Sequence, residues 1–254
     1  MTGILLSGCN GKMGRVITAS AAGSEDLEIV GGIDLNTSCD AGYPVFASPA
    51  DVTADVLART DVIIDFSNPS AFAGLIEFAA REAKPAVIAT TGLNDAQISL
   101  LRSASGKIPV FFAANMSLGV SLISELACKA AKVLGDSFDI EIVEMHHNQK
   151  VDAPSGTALM LADSINEALG DGMRYEYDRH AKREKRSKKE IGIHSVRGGT
   201  ITGEHEIIFA GHDEIITISH SARSKELFAT GAINAARFLC GKPAGLYGMK
   251  ELIG

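Results

Sequence analysis

Gly3-Ile4-Leu5-Leu6-Ser7-Gly8-Cys9-Asn10-Gly11-Lys12-Met13-Gly14 decides the fold. The apolar run from Gly3 to Ser7 has the length and composition of a buried strand, and Gly14 to Ala22 reads as a helix. Between them three glycines follow a G-x-x-G-x-x-G spacing, not the commoner G-x-G-x-x-G. At a strand-to-helix turn such glycines allow a tight bend, close approach of a pyrophosphate and close packing of helix on strand. Glycines also mark ordinary turns, so the spacing alone is a weak sign and its context carries the weight. Leu27 to Ile33 forms a second strand, and Asp34 follows it, twenty residues past Gly14. An acid there accepts hydrogen bonds from the adenosine ribose hydroxyls of a dinucleotide. The expectation is a dinucleotide site built from Gly8, Cys9, Asn10, Gly11, Lys12, Met13 and Asp34.

The same rhythm continues outward. Asp61 to Phe66 is a strand, Ser70 to Glu82 a helix, and Ala86 to Ala89 and Pro109 to Phe112 are further strands. Alternation of strand and helix implies a parallel sheet with helices on both faces. Ligands collect at the carboxyl edge of such a sheet, so Ala89, Thr90 and Thr91, with Ala113, Ala114, Asn115 and Met116, should flank the same crevice. After Asn115 the pattern changes. Leu118 to Leu134 is a long helical stretch, a strand leads into His146, and Gly156 to Leu169 is a helix. Two alternating runs, His205 to Ala210 and Glu214 to His220, flank Gly211-His212-Asp213 and predict an antiparallel hairpin. The chain is therefore α/β, with two domains expected. A Rossmann-like dinucleotide-binding domain spans 1–117, and the final helix, Lys225 to Leu239, and the tail (226–254) return to it. An α+β domain with a mixed open sheet spans 118–225 and serves substrate binding and oligomerisation.

The second domain holds the chemistry. Glu141-Ile142-Val143-Glu144-Met145-His146-His147-Asn148-Gln149-Lys150-Val151-Asp152-Ala153-Pro154-Ser155-Gly156-Thr157-Ala158 begins as an alternating, half-buried strand. Two histidines and a lysine then fall within five positions. Ser155 stands where a helix N-cap would, and Gly156 and Thr157 open the helix. Free N–H groups there, with the Thr157 hydroxyl, make a cradle for a carboxylate or phosphate. Proton-transfer groups beside an anion seat suit an enzyme acting on a small acidic molecule. A histidine pair is often surface decoration; the whole string weighs more than the pair. Zinc is disfavoured, because adjacent strand residues point to opposite faces and no cysteine pair supports a site.

Bulk properties bound the rest. The 254 residues are 46% hydrophobic and 22% charged, as in globular proteins, and the net charge of -7 argues against nucleic acid as a partner. Cys9, Cys39, Cys128 and Cys240 form no C-x-x-C and read as free thiols of a reducing compartment. No signal peptide is recognised, and no apolar run reaches the roughly 18 residues of a membrane helix, so a cytoplasmic location is expected. The most basic segment, Arg179 to Lys189, is read as a solvated surface run, with attraction of an acidic ligand as the sharper alternative.

At this point the chain resembles the 4-hydroxy-tetrahydrodipicolinate (dihydrodipicolinate) reductase family over essentially its whole length. His146-His147 through Lys150 to Asp152-Ala153-Pro154-Ser155-Gly156-Thr157-Ala158 is similar to that family's hallmark. Gly8 to Arg15, Asp65-Phe66-Ser67, Thr90-Thr91-Gly92, Ala114-Asn115, Arg197-Gly198-Gly199, Gly203-Glu204-His205, Arg223 and Phe228-Ala229 fit in order. The resemblance implies reduction of a small cyclic dicarboxylate by NADH or NADPH in the diaminopimelate route to lysine, and a homotetramer. It implies His146 as acid/base, Lys150 as proton donor, and His147, Gly156 and Thr157 as substrate-holding residues. Ala89 stands where the family often has Gly, Met116 where it often has Phe, and Leu35 where relatives that use NADPH readily often have Arg. Two other readings stay open: an amino-acid dehydrogenase on the same two-domain plan, and a regulator that binds NAD(H) without turnover.

Overall fold

The computed structural model describes residues 1–38 and 41–254. Cys39, read above as a free thiol, lies outside the described residues; Cys9, Cys128 and Cys240 form no disulfide. The chain divides into two compact units, Met1–Leu118 with Lys225–Gly254, and Gly119–Ser224.

The first unit is a seven-stranded sheet. Its strands are β1 (Thr2–Ser7), β2 (Leu27–Ile33), β3 (Val45–Phe46), β4 (Val62–Asp65), β5 (Ala86–Ile88) and β6 (Pro109–Phe112), closed by β12 (Gly245–Tyr247). Their order is β12-β6-β5-β4-β1-β2-β3, every pair parallel. A parallel sheet must be covered on both faces, and its strands are accordingly apolar throughout. Alternation sorts them: Ile4, Leu6 and Ile64 pack with Ile17 of α1 (Lys12–Ala22) and Ala232 of α7 (Glu226–Leu239). Leu5 and Ile63 pack on the other face with Phe72 and Ile76 of α3 (Pro69–Arg81) and Leu101 of α4 (Asp95–Ser105). Each fully buried Leu, Ile or Phe among these contributes about 1.5–3 kcal/mol. The short α2 (Ala54–Arg59) follows β3, and α8 (Met249–Ile253) ends the chain.

The second unit is a five-stranded mixed sheet. It contains β7 (Asp139–His146), β8 (Arg174–Glu176), β9 (Glu190–Arg197), β10 (Gly203–Ala210) and β11 (Ile215–Ala222), in the order β11-β10-β7-β9-β8. The expected hairpin joins β10 to β11, closed by Gly211 N–H donating to the Glu214 carbonyl at 2.9 Å. Helices α5 (Leu118–Leu134) and α6 (Gly156–Ala168) cover one face, where Ala127, Leu161 and Ile165 meet Ile142, Ile193, Ile207 and Phe209. On β7 the inward set is Ile140, Ile142, Glu144 and His146. One strand thus supplies core at one end and two polar side chains, on the same face, at the other.

The basic run is mostly spent within its own unit. Arg186 donates to Glu141 at 2.8 Å, to Asp139 at 3.1 Å and to the Ile140 and Glu190 carbonyls. Arg179 pairs with Glu190, Lys182 with Glu176 and Lys188 with Asp139. The run is exposed along most of its length, as the surface reading has it, and these four cations tie it to the strands beside it. No helix among the described residues is long and apolar enough to cross a membrane.

Candidate active site

In the first unit, the turn after β1 is shaped by its glycines. Gly8 has φ +76°, and a Cβ there would lie 2.7 Å from the Phe66 carbonyl oxygen. Gly14 sits so close beneath the turn that a Cβ would stand 2.3 Å from the Gly8 oxygen. The N-cap of α1 is Gly11, with no side-chain cap and no acid in the first turn. The backbone N–H groups there have no carboxylate competing with an incoming anion. The Asp34 carboxylate is held by the Asn10 N–H at 3.0 Å and the Asn36 N–H at 3.1 Å. These residues fit a dinucleotide: an uncapped helix start for the pyrophosphate and a fixed carboxylate for the ribose.

Two cavities lie along this edge. One, of about 550 Å³, is lined by Gly8, Gly11, Asp34, Leu35, Phe66 and Ser67 among others. The other, of about 300 Å³, is lined by Phe66, Ser67, Ala89, Thr90, Thr91, Ala114, Met116 and Phe228. Thr90 is pinned by its hydroxyl donating to the buried Asp65 carboxylate at 2.7 Å. Cys9, Asn10, Lys12, Met13, Ala113 and Asn115 line neither cavity. The Cys9 side chain is buried facing Gly32, where a Cβ would meet its sulfur at 2.5 Å, so only its backbone can reach a ligand. Lys12 is exposed.

In the second unit, His146 ends β7 and is nearly buried, while His147 begins the following loop and is half-buried. Lys150 Nζ lies 2.9 Å from Asp152, whose carboxyl it holds below the usual range. Ser155 caps α6 by accepting the Ala158 N–H at 3.1 Å. Gly156 is exposed, a Cβ there would meet nothing within 4 Å, and the first turn of α6 carries no acid. The helix start thus offers open space and positive dipole, as an anion seat needs.

Beneath these residues lies a buried polar group that the sequence reasoning did not single out. Glu144 is fully buried and accepts from His146 Nδ1 at 2.5 Å, from both terminal nitrogens of Arg197 at 2.7 and 2.8 Å, and from the Ser155 N–H at 3.1 Å. Burial works to raise its pKa, but hydrogen bonds from Arg197, Ser195 and His146 overrule burial and bring it to about 2. His205 lies against His146 with ring centroids 5.3 Å apart, and its Nε2 is 3.0 Å from the Ser155 hydroxyl. Burial pushes His205 down to about 4, and the neighbouring His146 adds to the fall. The alternation of β7 put Glu144 on the face of His146 and was the available signal. The convergence of Arg197 and His205 depends on strand pairing and had none.

A doubly wound sheet with a glycine turn, joined to a smaller α+β unit rich in proton-transfer groups, defines a two-unit α/β oxidoreductase of the dinucleotide-dependent class. Two family models match in tandem: "Dihydrodipicolinate reductase, N-terminus" over residues 2–116 and "Dihydrodipicolinate reductase, C-terminus" over residues 119–253. The chain belongs to the dihydrodipicolinate reductase family. It is 50% identical to the 4-hydroxy-tetrahydrodipicolinate reductase of Caldanaerobacter subterraneus subsp. tengcongensis, over 100% of this chain and 98% of that protein. It is 45% identical to the reductase of the same name from Clostridium tetani, over 98% of this chain and 96% of that one. Among solved structures it is similar to the dipicolinate-bound dihydrodipicolinate reductase from Paenisporosarcina sp. TG-14, with a TM-score of 0.81, 26% identity and 99% of each chain covered. Of the readings the sequence left open, family membership retains the reductase over an amino-acid dehydrogenase or a non-catalytic sensor.

Proposed function

We propose that this chain catalyses the NAD(P)H-dependent reduction of 4-hydroxy-tetrahydrodipicolinate, by way of dihydrodipicolinate, to tetrahydrodipicolinate in the diaminopimelate route to lysine. The observation that carries the reading is local to the second unit: His146 and Lys150 stand in the segment that leads directly into the open, acid-free start of α6. When bound, the reduced nicotinamide supplies the hydride. The chain's own residues hold the dicarboxylate and deliver a proton. The α6 start, through Gly156 and Thr157, receives a carboxylate, and His147 adds a contact from the loop. His146 acts as acid/base and Lys150 as proton donor, both side-chain types that serve in proton transfer. In the first unit, Gly8, Cys9, Asn10, Gly11, Lys12 and Met13 serve the pyrophosphate and Asp34 the ribose. Ala89, Thr90, Thr91, Ala113, Ala114, Asn115 and Met116 serve the nicotinamide end.

Asp34 favours NADH, because the same carboxylate repels a 2′-phosphate and the exposed Leu35 offers no cation. Lys12 and Arg15 at the turn moderate this, so both cofactors are used, with NADH equal to or better than NADPH. We place the enzyme in the cytoplasm as a homotetramer assembled through the second unit. The test is to mix the purified protein with NADH and substrate freshly generated by the preceding pathway step. NADH absorbance should fall only when both are present; no fall with authentic substrate would sink the reading.

A further inference from the structure

Glu144 is a carboxylate with no exposure at all and four N–H groups aimed at it. Arg197 alone satisfies a buried carboxylate in bidentate fashion. Two further contacts go to the site: His146 Nδ1 at 2.5 Å, and the backbone N–H of Ser155, the N-cap of α6, at 3.1 Å. An ionised carboxylate only accepts, so His146 must carry its proton on Nδ1 when neutral. That leaves Nε2 as the atom that exchanges protons, and it faces Gly203, where a Cβ would stand 3.0 Å away.

We propose that Glu144 is the positioning residue of the site, setting the tautomer and orientation of His146 while holding the α6 start in the same frame. Glu144 never meets substrate. It acts through His146 and Ser155, so the proton donor and the carboxylate seat keep a fixed spacing. Arg197 offsets its charge and sets how strongly it favours a protonated imidazole. The charged and titratable groups around His146 are Glu144 on β7, Arg197 on β9, His205 on β10, and Lys150 and Asp152 in the loop, with His220 on β11 beyond His205.

This inference rests on the acid/base reading of His146, and the experiment separates the two. The pH profile of kcat/KM is measured for the parent, Glu144→Gln, Arg197→Gln, His146→Ala and the Glu144→Gln/His146→Ala double variant. Glu144→Gln should lower kcat by roughly tenfold or more. It should also move the high-pH limb to lower pH by about one unit, because an anion beside the imidazolium is gone. Arg197→Gln should move the same limb to higher pH, because the anion is less neutralised. A merely structural ion pair would give losses without these opposite shifts. In the His146→Ala background, Glu144→Gln should cause no further loss of kcat, since its effect on proton transfer passes through the missing ring, while the part that passes through Ser155 appears in KM. Should Glu144→Gln fail to fold, the Arg197→Gln shift decides: upward supports the proposal, while no shift or a downward one overturns it. Near-parental turnover in His146→Ala overturns the acid/base reading itself. An inactive His146→Ala beside an unaltered Glu144→Gln profile overturns the positioning role alone.

Discussion

Thr157 is the second residue of α6, where a hydroxyl joins the backbone N–H groups of the helix start. Thr157→Val keeps the shape and removes that group. KM for substrate should rise by the equivalent of about 1.5–3 kcal/mol, the value of a hydrogen bond to a charged group. An unchanged KM would mean the carboxylate sits elsewhere. Leu35 is 90% exposed beside Asp34, so an arginine fits there without displacing core. Leu35→Arg should move kcat/KM toward NADPH by roughly tenfold if the new contact contributes about 1.4 kcal/mol. A parent that strongly preferred NADPH would show that Lys12 and Arg15 outweigh Asp34. His205 and Glu144 set an acid response. His205 titrates at about 4 in the fold against an ordinary 6.5, so between those values the unfolded chain binds more protons and stability falls with falling pH. Glu144, at about 2 against 4.5, extends the loss below pH 4.5. The unfolding midpoint should therefore fall continuously as the solution is acidified from pH 6.5, and His205→Gln should flatten the segment down to pH 4. An unaltered slope in that variant would assign it to another group.

Among the elements, the turn between β1 and α1 makes the sharpest demand. Gly14→Ala would place a methyl group 2.3 Å from the Gly8 oxygen and 2.4 Å from the Cys9 oxygen, so α1 must move off β1. NADH affinity should drop by about tenfold or more, costing at least about 1.4 kcal/mol of binding. A cooperative thermal unfolding transition should persist; retained NADH affinity would exclude the turn as the pyrophosphate site. This turn was legible in the sequence because glycine spacing, a strand before it and an acid after β2 are all local. The limits of β2, β6 and α5 were legible for the same reason, as unbroken runs of one period. Helix α1 starts at Lys12, ahead of the expected Gly14, because the uncapped Gly11 already serves as its N-cap. Helix α4 was missed although Asn94 and Gln97 form a capping box at 3.0 Å each way, a signal its low hydrophobicity obscured. Strand β9 was missed because it emerges directly from the charged run. β3, β8 and β12 have two or three residues, too few for any period. The Glu144 cluster was illegible for a different reason: Arg197 arrives from 53 residues away through the β7–β9 pairing.

At the scale of the whole molecule, the mixed sheet turns Ile140, Ile142 and Ile207 to its helices and leaves Val143, Met145 and Ile208 partly exposed on its other face. Partly exposed apolar side chains on a sheet face, here interspersed with Glu141, Glu206 and His194, suit self-assembly. Ile208→Glu should lower the molar mass measured by light scattering below that of the proposed tetramer; a mass equal to the parent's would move the contact elsewhere. In the proposed reaction, proton-transfer groups of the second unit complete a reduction whose hydride comes from a dinucleotide bound by the first. The most direct test is the rate of substrate-dependent NADH oxidation by the parent and by His146→Ala, with NADH affinity measured alongside. In His146→Ala, kcat should fall by roughly 10²-fold or more with NADH affinity essentially unchanged. Near-parental turnover in His146→Ala, with authentic substrate, would contradict it.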